Sequence, residues 1–115
     1  MTDNIEAREY YLFITNDGQL YRGQTQAIIK NLAIKKVKGV YDQNLALKLW
    51  TYLVESGIKK YYKDLSGVGH MPRTSAATKL ACAKMIAREY AEEIAMQVKK
   101  MKALKKAGKP WQMRG

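Results

Sequence analysis

Apolar residues recur at intervals of three and four along two long stretches of the chain. Between Gln19 and Lys38 this spacing predicts an amphipathic helix whose last turns are rich in lysine. Gly39 is typical of a helix end, and Asp42 is a good N-cap for a second helix over 43–63. The two helices, joined by the sequence GVYD, are predicted to form an αα-hairpin.

A third long helix is predicted after the loop 65–73, which contains glycine and proline, with Thr74 or Ser75 as its N-cap. Gly108 and Pro110 end it. Its predicted core face is rich in alanine, so a neighbouring helix can approach closely, within the chain or in a homodimer. The predicted core positions are Leu45, Leu49, Tyr52, Leu53 and Ser56 in the second helix, with Trp50 and Val54 beside them, and Leu80, Ala83, Ala87, Ala91, Ile94, Val98 and Met101 in the third.

Residues 5–16 give mixed signals. The apolar run from Tyr10 to Ile14 is too short to separate a buried helix from a strand by its period. Its aromatic and β-branched residues, followed by NDG, suit a β-hairpin, whereas the apolar spacing over the whole segment also fits one helical face. We favour the helix and keep the strand as the alternative.

These elements place the chain in the all-α class, as a small helical bundle of three or four helices with a long C-terminal helix and a basic tail. The length of 115 residues suits one domain with one modest core. We expect residues 1–107 to form that single helical domain and residues 108–115 to form a basic, flexible tail.

Charge is the most informative property of the composition. The chain has 21 lysine and arginine residues against 10 aspartate and glutamate residues, a net charge of +11, which favours association with polyanions. The excess is uneven, because residues 18–41 hold five basic and no acidic residues and the last 17 residues hold seven basic and no acidic residues. Two segments therefore carry most of the positive charge.

Several functional classes are not expected. No run approaches the roughly 18 apolar residues of a membrane span, and the acidic N-terminus does not resemble a signal peptide, so we expect a cytoplasmic protein without a membrane partner. Cys82 and His70 are the only cysteine and histidine, which argues against a disulfide, a metal centre and a catalytic triad. We predict no catalytic residues, no cofactor and no enzymatic activity.

Basic residues with interleaved aromatic rings are the best candidates for a binding site. Lysine and arginine neutralise phosphates, and exposed aromatic rings stack on unpaired bases. In KKYYK, residues 59–63, the two tyrosines either offer such rings or pack inward, and Trp111 is predicted to be an exposed indole. The sequence therefore predicts a small, non-catalytic protein that binds DNA or RNA. The candidate residues for binding a nucleic acid or another partner are Arg22, Lys35, Lys36, Lys38, Lys59, Lys60, Lys63, Lys105, Lys106, Lys109, Trp111 and Arg114.

A family resemblance covers about residues 10–95. The segments NDG and LYR with QT (16–25), KNL (30–32), G-YD (39–42) and KLW-YLV (48–54) resemble a family of small uncharacterised proteins from phages, plasmids and their bacterial hosts. The family has no established catalytic residues to transfer. The resemblance implies a mobile-element context and an alternative function, an inhibitor that binds a host nucleoprotein defence complex, of the anti-CRISPR or anti-restriction type. Within the pattern, Arg22 and Asn31 are the better candidates for a surface role.

Overall fold

The structure is a computed structural model that describes residues 2–66 and 74–111, with side chains described for 5–64 and 74–111. The described part contains four helices and no strand. Helix α1 is Thr2–Asn16, α3 is Gln43–Ser66 and α4 is Ala76–Lys106. Helix α2 is one continuous rod built from Gly18–Leu20, a π-helical turn at Tyr21–Thr25, and Gln26–Lys38. The all-α prediction is confirmed, and residues 5–16 are helical rather than a strand.

Local capping interactions set the helix ends. The side chain of Asp17 accepts a backbone N–H of the first turn of α2 at 2.9 Å, and Asp42 does the same for α3 at 3.0 Å. Ser75 is the N-cap of α4, where its hydroxyl accepts a backbone N–H at 3.1 Å. Gly39 ends α2 with a φ of 75°, a left-handed conformation that glycine adopts without steric cost. Most of the predicted loop 65–73 lies outside the described residues.

Helix α4 is the centre of the bundle. Helices α1, α2 and α3 all pack on it, and α1 also packs on α3. At about 1.5 Å per residue its 31 residues span roughly 46 Å, which accounts for most of the 51 Å long axis of the molecule. The predicted hairpin forms as two consecutive helices, but α2 and α3 contact each other little, because the buried faces of both are directed at α4.

The core faces differ from the predicted ones by a rotation of the helices. In α3, Leu45 and Tyr52 are exposed, and the tyrosine keeps 65% of its surface in solvent. Trp50 is buried, as predicted, and its indole stacks on Tyr90 with ring centroids 5.8 Å apart. In α4, Leu80 and Ala91 are likewise exposed, whereas Ala83, Ile94 and Met101 are buried as predicted. The residues of α3 and α4 that are buried are Ala46, Trp50, Leu53, Val54, Gly57, Ile58, Thr78, Cys82, Ala83, Ile86, Tyr90, Ile94 and Met101.

Helix α1 closes the core from one side. Its buried residues are Ala7, Tyr10 and Ile14, whereas Ile5 and Leu12 are exposed. Ile14 lies directly against Gly57 of α3, where the absence of a side chain lets the two helices approach. The glycine therefore fixes how closely α1 and α3 pack.

Candidate functional site

Most of the basic residues predicted to bind a partner lie on the surface. Lys35 and Lys60 are half-buried, Trp111 is also half-buried, and Arg114 lies outside the described residues, as does the rest of the tail after Trp111. The exposed members of the predicted set are Arg22, Lys36, Lys38, Lys59, Lys63, Lys105, Lys106 and Lys109.

Lys60 joins two helices within the fold. Its Nζ lies 2.6 Å from Oδ2 of Asp17 and 2.8 Å from Oε1 of Gln19. Burial opposes ionisation of the Asp17 carboxyl, but the hydrogen bonds from Lys60 and from backbone N–H groups outweigh it and lower the pKa of Asp17. The ammonium of Lys60 is thus engaged in holding α3 against the start of α2.

The tyrosines of KKYYK pack inward, which is the second of the two alternatives that the sequence left open. Tyr61 makes edge-to-face contacts with Tyr10 and Phe13 at centroid distances of 5.5 and 5.3 Å. The hydroxyl oxygens of Tyr10 and Tyr62 are 2.8 Å apart. These rings bind α3 to α1, and Lys59 beside them remains exposed.

Trp111 is not the exposed indole that the sequence predicts. After α4 ends, Gly108 adopts a φ of 74° and the N–H of Lys109 donates to the carbonyl of Leu104 at 3.0 Å. This turn brings Trp111 back against the core, with Nζ of Lys105 at 5.5 Å from the ring centroid. The indole therefore packs on the helix that precedes it.

A line of positive charge follows the solvent side of α4. Lys84, Arg88, Lys99, Lys102 and Lys106 are all exposed, and at 3.6 residues per turn their directions fall within about 60° of one another. The exposed Glu92 lies within about 20° of this sector, between Arg88 and Lys99. We call the five cationic residues the basic stripe. It is about 33 Å long at 1.5 Å per residue. Only Lys106 belongs to the set predicted from the sequence. The other four lie on the same side of the predicted helix, and a helical projection of the sequence would have shown this.

Two carboxylates of α4 are hydrogen-bonded within the protein. The hydroxyl of Tyr11 donates to Glu89, and that of Tyr21 donates to Oε1 of Glu93 at 2.5 Å. Hydrogen bonding to the carboxylates raises the pKa of both tyrosines. These acidic side chains are thus engaged with α1 and α2.

A cleft lies at the N-terminal end of the basic stripe, and we call it the Tyr41 cleft. It has a volume of about 280 Å³ and lies between α4 and the segment that begins α3. Nζ of Lys36 lies 4.6 Å from the centroid of the Tyr41 ring, which is 40% exposed. Among the described residues that line the cleft there is no aspartate or glutamate. The lining residues are Tyr41, Gln43, Ala46, Leu47, Trp50, Lys84, Ala87 and Arg88.

The cleft brings together residues that the sequence analysis did not connect. Lys36 was predicted as a binding residue, but Tyr41, Lys84 and Arg88 were not. The pair Lys84 and Arg88, four residues apart on a predicted helix, is visible in the sequence. Their approach to Tyr41 is not, because it depends on how α3 packs on α4.

A second, larger groove of about 670 Å³ separates α2 from α4. Arg22 and Asn31, both favoured as surface residues from the sequence, line it together with Lys30. Glu93 and Gln97 of α4 form the opposite side. The carboxylate makes this groove less favourable to an anion than the Tyr41 cleft.

The described residues contain no candidate for a metal site or a membrane span. Within 2–66 and 74–111, histidine, cysteine, aspartate and glutamate form no group of three or more that could hold a metal ion. Burial raises the pKa of the Cys82 thiol to about 12. No helix in the described part of the chain combines the length and the apolar character needed to cross a membrane.

Comparison of the chain with family models, with curated proteins and with solved structures finds no match in any of the three.

Proposed function

We propose that the protein is a non-catalytic nucleic-acid-binding protein that contacts the phosphates of DNA or RNA through α4. The basic stripe is the observation that carries this proposal. Five cationic side chains in one direction along about 33 Å can face several successive phosphates of one strand or duplex.

The distribution of acidic residues supports the same function. The chain carries a net charge of +11, and three of its carboxylates are occupied by internal partners: Asp17 by Lys60, Glu89 by Tyr11 and Glu93 by Tyr21. The last part of α4 and the turn after it hold six lysines and no acidic residue over 99–109. A polyanion therefore meets little repulsion along the C-terminal half of the stripe.

The test is the salt dependence of binding to a labelled oligonucleotide, measured by fluorescence anisotropy between 50 and 200 mM salt, concentrations at which such dependence is readily seen. If the five cations of the basic stripe neutralise phosphates of a single strand, the slope of log K against log salt is about −3.5, a loss of roughly 130-fold over this range. Affinity that does not change with salt contradicts the proposal.

Neutralising variants locate the surface. The combined substitution of Lys99, Lys102 and Lys106 by Gln is expected to make the slope shallower by about 2. The matched variant on α3 replaces Lys48, Lys59 and Lys63, which are also exposed. A larger loss with the α3 variant assigns binding to α3 and removes the basic stripe from the proposal.

A second candidate function is an inhibitor from a mobile element that binds a host nucleoprotein defence complex. Exposed apolar side chains near the start of α3 favour it: Val40 is 61% exposed, and Leu45 and Tyr52 are exposed on α3. Phosphate binding does not require exposed apolar side chains, whereas protein interfaces bury them. Affinity purification from host lysate with and without nuclease separates the two functions, because a protein partner that survives nuclease supports the inhibitor and the loss of all partners supports nucleic-acid binding.

A further inference from the structure

We infer that the Tyr41 cleft holds one unpaired nucleotide, with its base stacked on Tyr41 and its phosphate between Lys84 and Arg88. The inference rests on the proposed nucleic-acid binding and adds to it a preference for single strands over duplexes. It also assigns base stacking to one aromatic residue, Tyr41, and phosphate binding to two cationic residues, Lys84 and Arg88.

The size of the cleft limits what it can accept. Its volume of about 280 Å³ is just below the usual range for small-molecule sites, about 300 to 1,000 Å³. A single nucleotide unit matches this volume, and a double helix does not. The bases of a duplex are stacked on one another and expose only their edges in the grooves, so the face of a tyrosine ring is open only to an unpaired base.

The cationic side of the cleft suits a phosphate. Lys84 and Arg88 are one helical turn apart, with a rise of about 6 Å between them, and both are exposed. The guanidinium offers two parallel N–H donors to phosphate oxygens, and the ammonium adds a mobile charge. Exposed carboxylates lie next to lining residues, at Asp42 beside Tyr41 and at Glu92 one turn after Arg88. Among the described residues, however, neither Lys84 nor Arg88 forms an ion pair, so both cations are available to the ligand.

The aromatic side of the cleft is held in place before any ligand arrives. Lys36 contacts the Tyr41 ring by a cation–π interaction at 4.6 Å. Trp50, which also lines the cleft, is buried and stacked on Tyr90, which limits its movement. A preordered platform loses less conformational entropy on binding. The amide of Gln43 adds a donor and an acceptor that can reach the edge of a base.

The other aromatic residues of the predicted site are less suitable. Tyr61 and Tyr62 are engaged with α1, and Trp111 packs on α4. Tyr52 is exposed but lies outside the cleft and its cations. Tyr41 is thus the ring that combines exposure with a cationic surround.

The experiment measures binding of a labelled 12-nucleotide oligothymidylate and of a duplex of about the same length at 50 mM salt, where electrostatic contacts are strong. Tyr41→Leu is expected to weaken single-strand binding about 5- to 150-fold, the usual loss for one stacked base. Duplex binding is expected to change less than twofold. Tyr41→Phe keeps the ring and is expected to retain the affinity, and Tyr52→Leu is the matched control that leaves it unchanged.

The cationic role is tested on the same helix. Lys84→Gln is expected to reduce the salt slope for the single strand by about 0.7. Lys79→Gln removes the same charge, but Lys79 is half-buried and 3.9 Å from Glu55, so the slope is expected to remain. Photocrosslinking of a thiouridine-containing strand, with the attachment site mapped by mass spectrometry, is expected to label Tyr41 or its neighbours in the cleft, and labelling confined to α4 beyond Lys99 contradicts the inference.

The possible outcomes distinguish the nucleotide site from the nucleic-acid binding on which it rests. Equal affinity for single strand and duplex, unchanged by Tyr41→Leu but still dependent on salt, overturns the nucleotide site and leaves the proposed function intact. The absence of binding to either oligonucleotide at low salt overturns the proposed function itself. Circular dichroism of each variant checks that its helix content is kept.

Discussion

Gly57→Ala is expected to destabilise the protein although alanine is the better helix former. Gly57 lies inside α3, and a Cβ placed there would be 2.3 Å from Cγ1 and 2.4 Å from Cδ1 of Ile14. Carbon atoms in contact normally stay about 3.5 Å or more apart. The new methyl group would therefore be more than an ångström too close to two atoms of a buried side chain.

Two opposing terms set the size of the effect. Replacing glycine by alanine inside a helix contributes about 1 kcal/mol of stability. Inserting a methyl group into a packed core costs about 1–3 kcal/mol, and the upper end applies because Ile14 is 1% exposed and packs where α1 meets α3. The net result is a loss of about 2 kcal/mol in the free energy of unfolding.

Urea unfolding followed by circular dichroism measures this change, and two further variants give the controls. Gly23→Ala lies in α2 with no atom within 4 Å of the new Cβ, so it is expected to stabilise by up to about 1 kcal/mol. Combining Gly57→Ala with Ile14→Ala removes both clashing atoms and leaves the two Cβ atoms 3.6 Å apart, so the double variant is expected to lose less than the sum of the single variants. The reasoning is refuted if Gly57→Ala stabilises as much as Gly23→Ala does.

Two other predictions concern the internal ion pair and the tail. Asp17→Asn keeps the helix cap but removes the charge that pairs with Lys60, so at pH 7 it is expected to lower the free energy of unfolding by about 1–2 kcal/mol. The pKa of Asp17 is lowered in the folded state, so its contribution is present above the unfolded value of about 3.9 and is lost as the pH falls through the folded value. In urea titrations the difference between the variant and the wild type should therefore shrink as the pH falls below the unfolded value. Asp42→Asn is the control, since Asp42 caps α3 while exposed, and a constant difference for Asp17→Asn across the pH range contradicts the ion-pair explanation. Trp111→Ala is expected to cost about 1–2 kcal/mol through the lost contact with Lys105 and the core, measured as a shift of the urea midpoint, and an unchanged midpoint means that the indole is free.

The helices and their ends are predictable because the signals are local. Asp17, Gly39, Asp42 and Ser75 act within one turn of their own position, through hydrogen bonds or backbone conformation that need no distant partner. The fold class follows from these signals and from the period of apolar residues. The orientation of each helix was less predictable, because apolar residues spread over much of the circumference of α3 and leave its core face uncertain by about one residue.

The sequence by itself thus determined that the chain after residue 18 forms three long helices, approximately where these begin and end, and that the protein is strongly basic. It left residues 5–16 open between a helix and a strand. The tertiary structure decided which basic and aromatic side chains remain on the surface. Lys60 and Trp111, both expected to meet a partner, instead contact Asp17 and the core. Tyr61, for which the sequence left binding and inward packing open, packs against α1. Packing also joined Lys36 and Tyr41 to Lys84 and Arg88 across more than 40 residues of sequence. Such a meeting depends on how three helices pack together, and no local pattern encodes it.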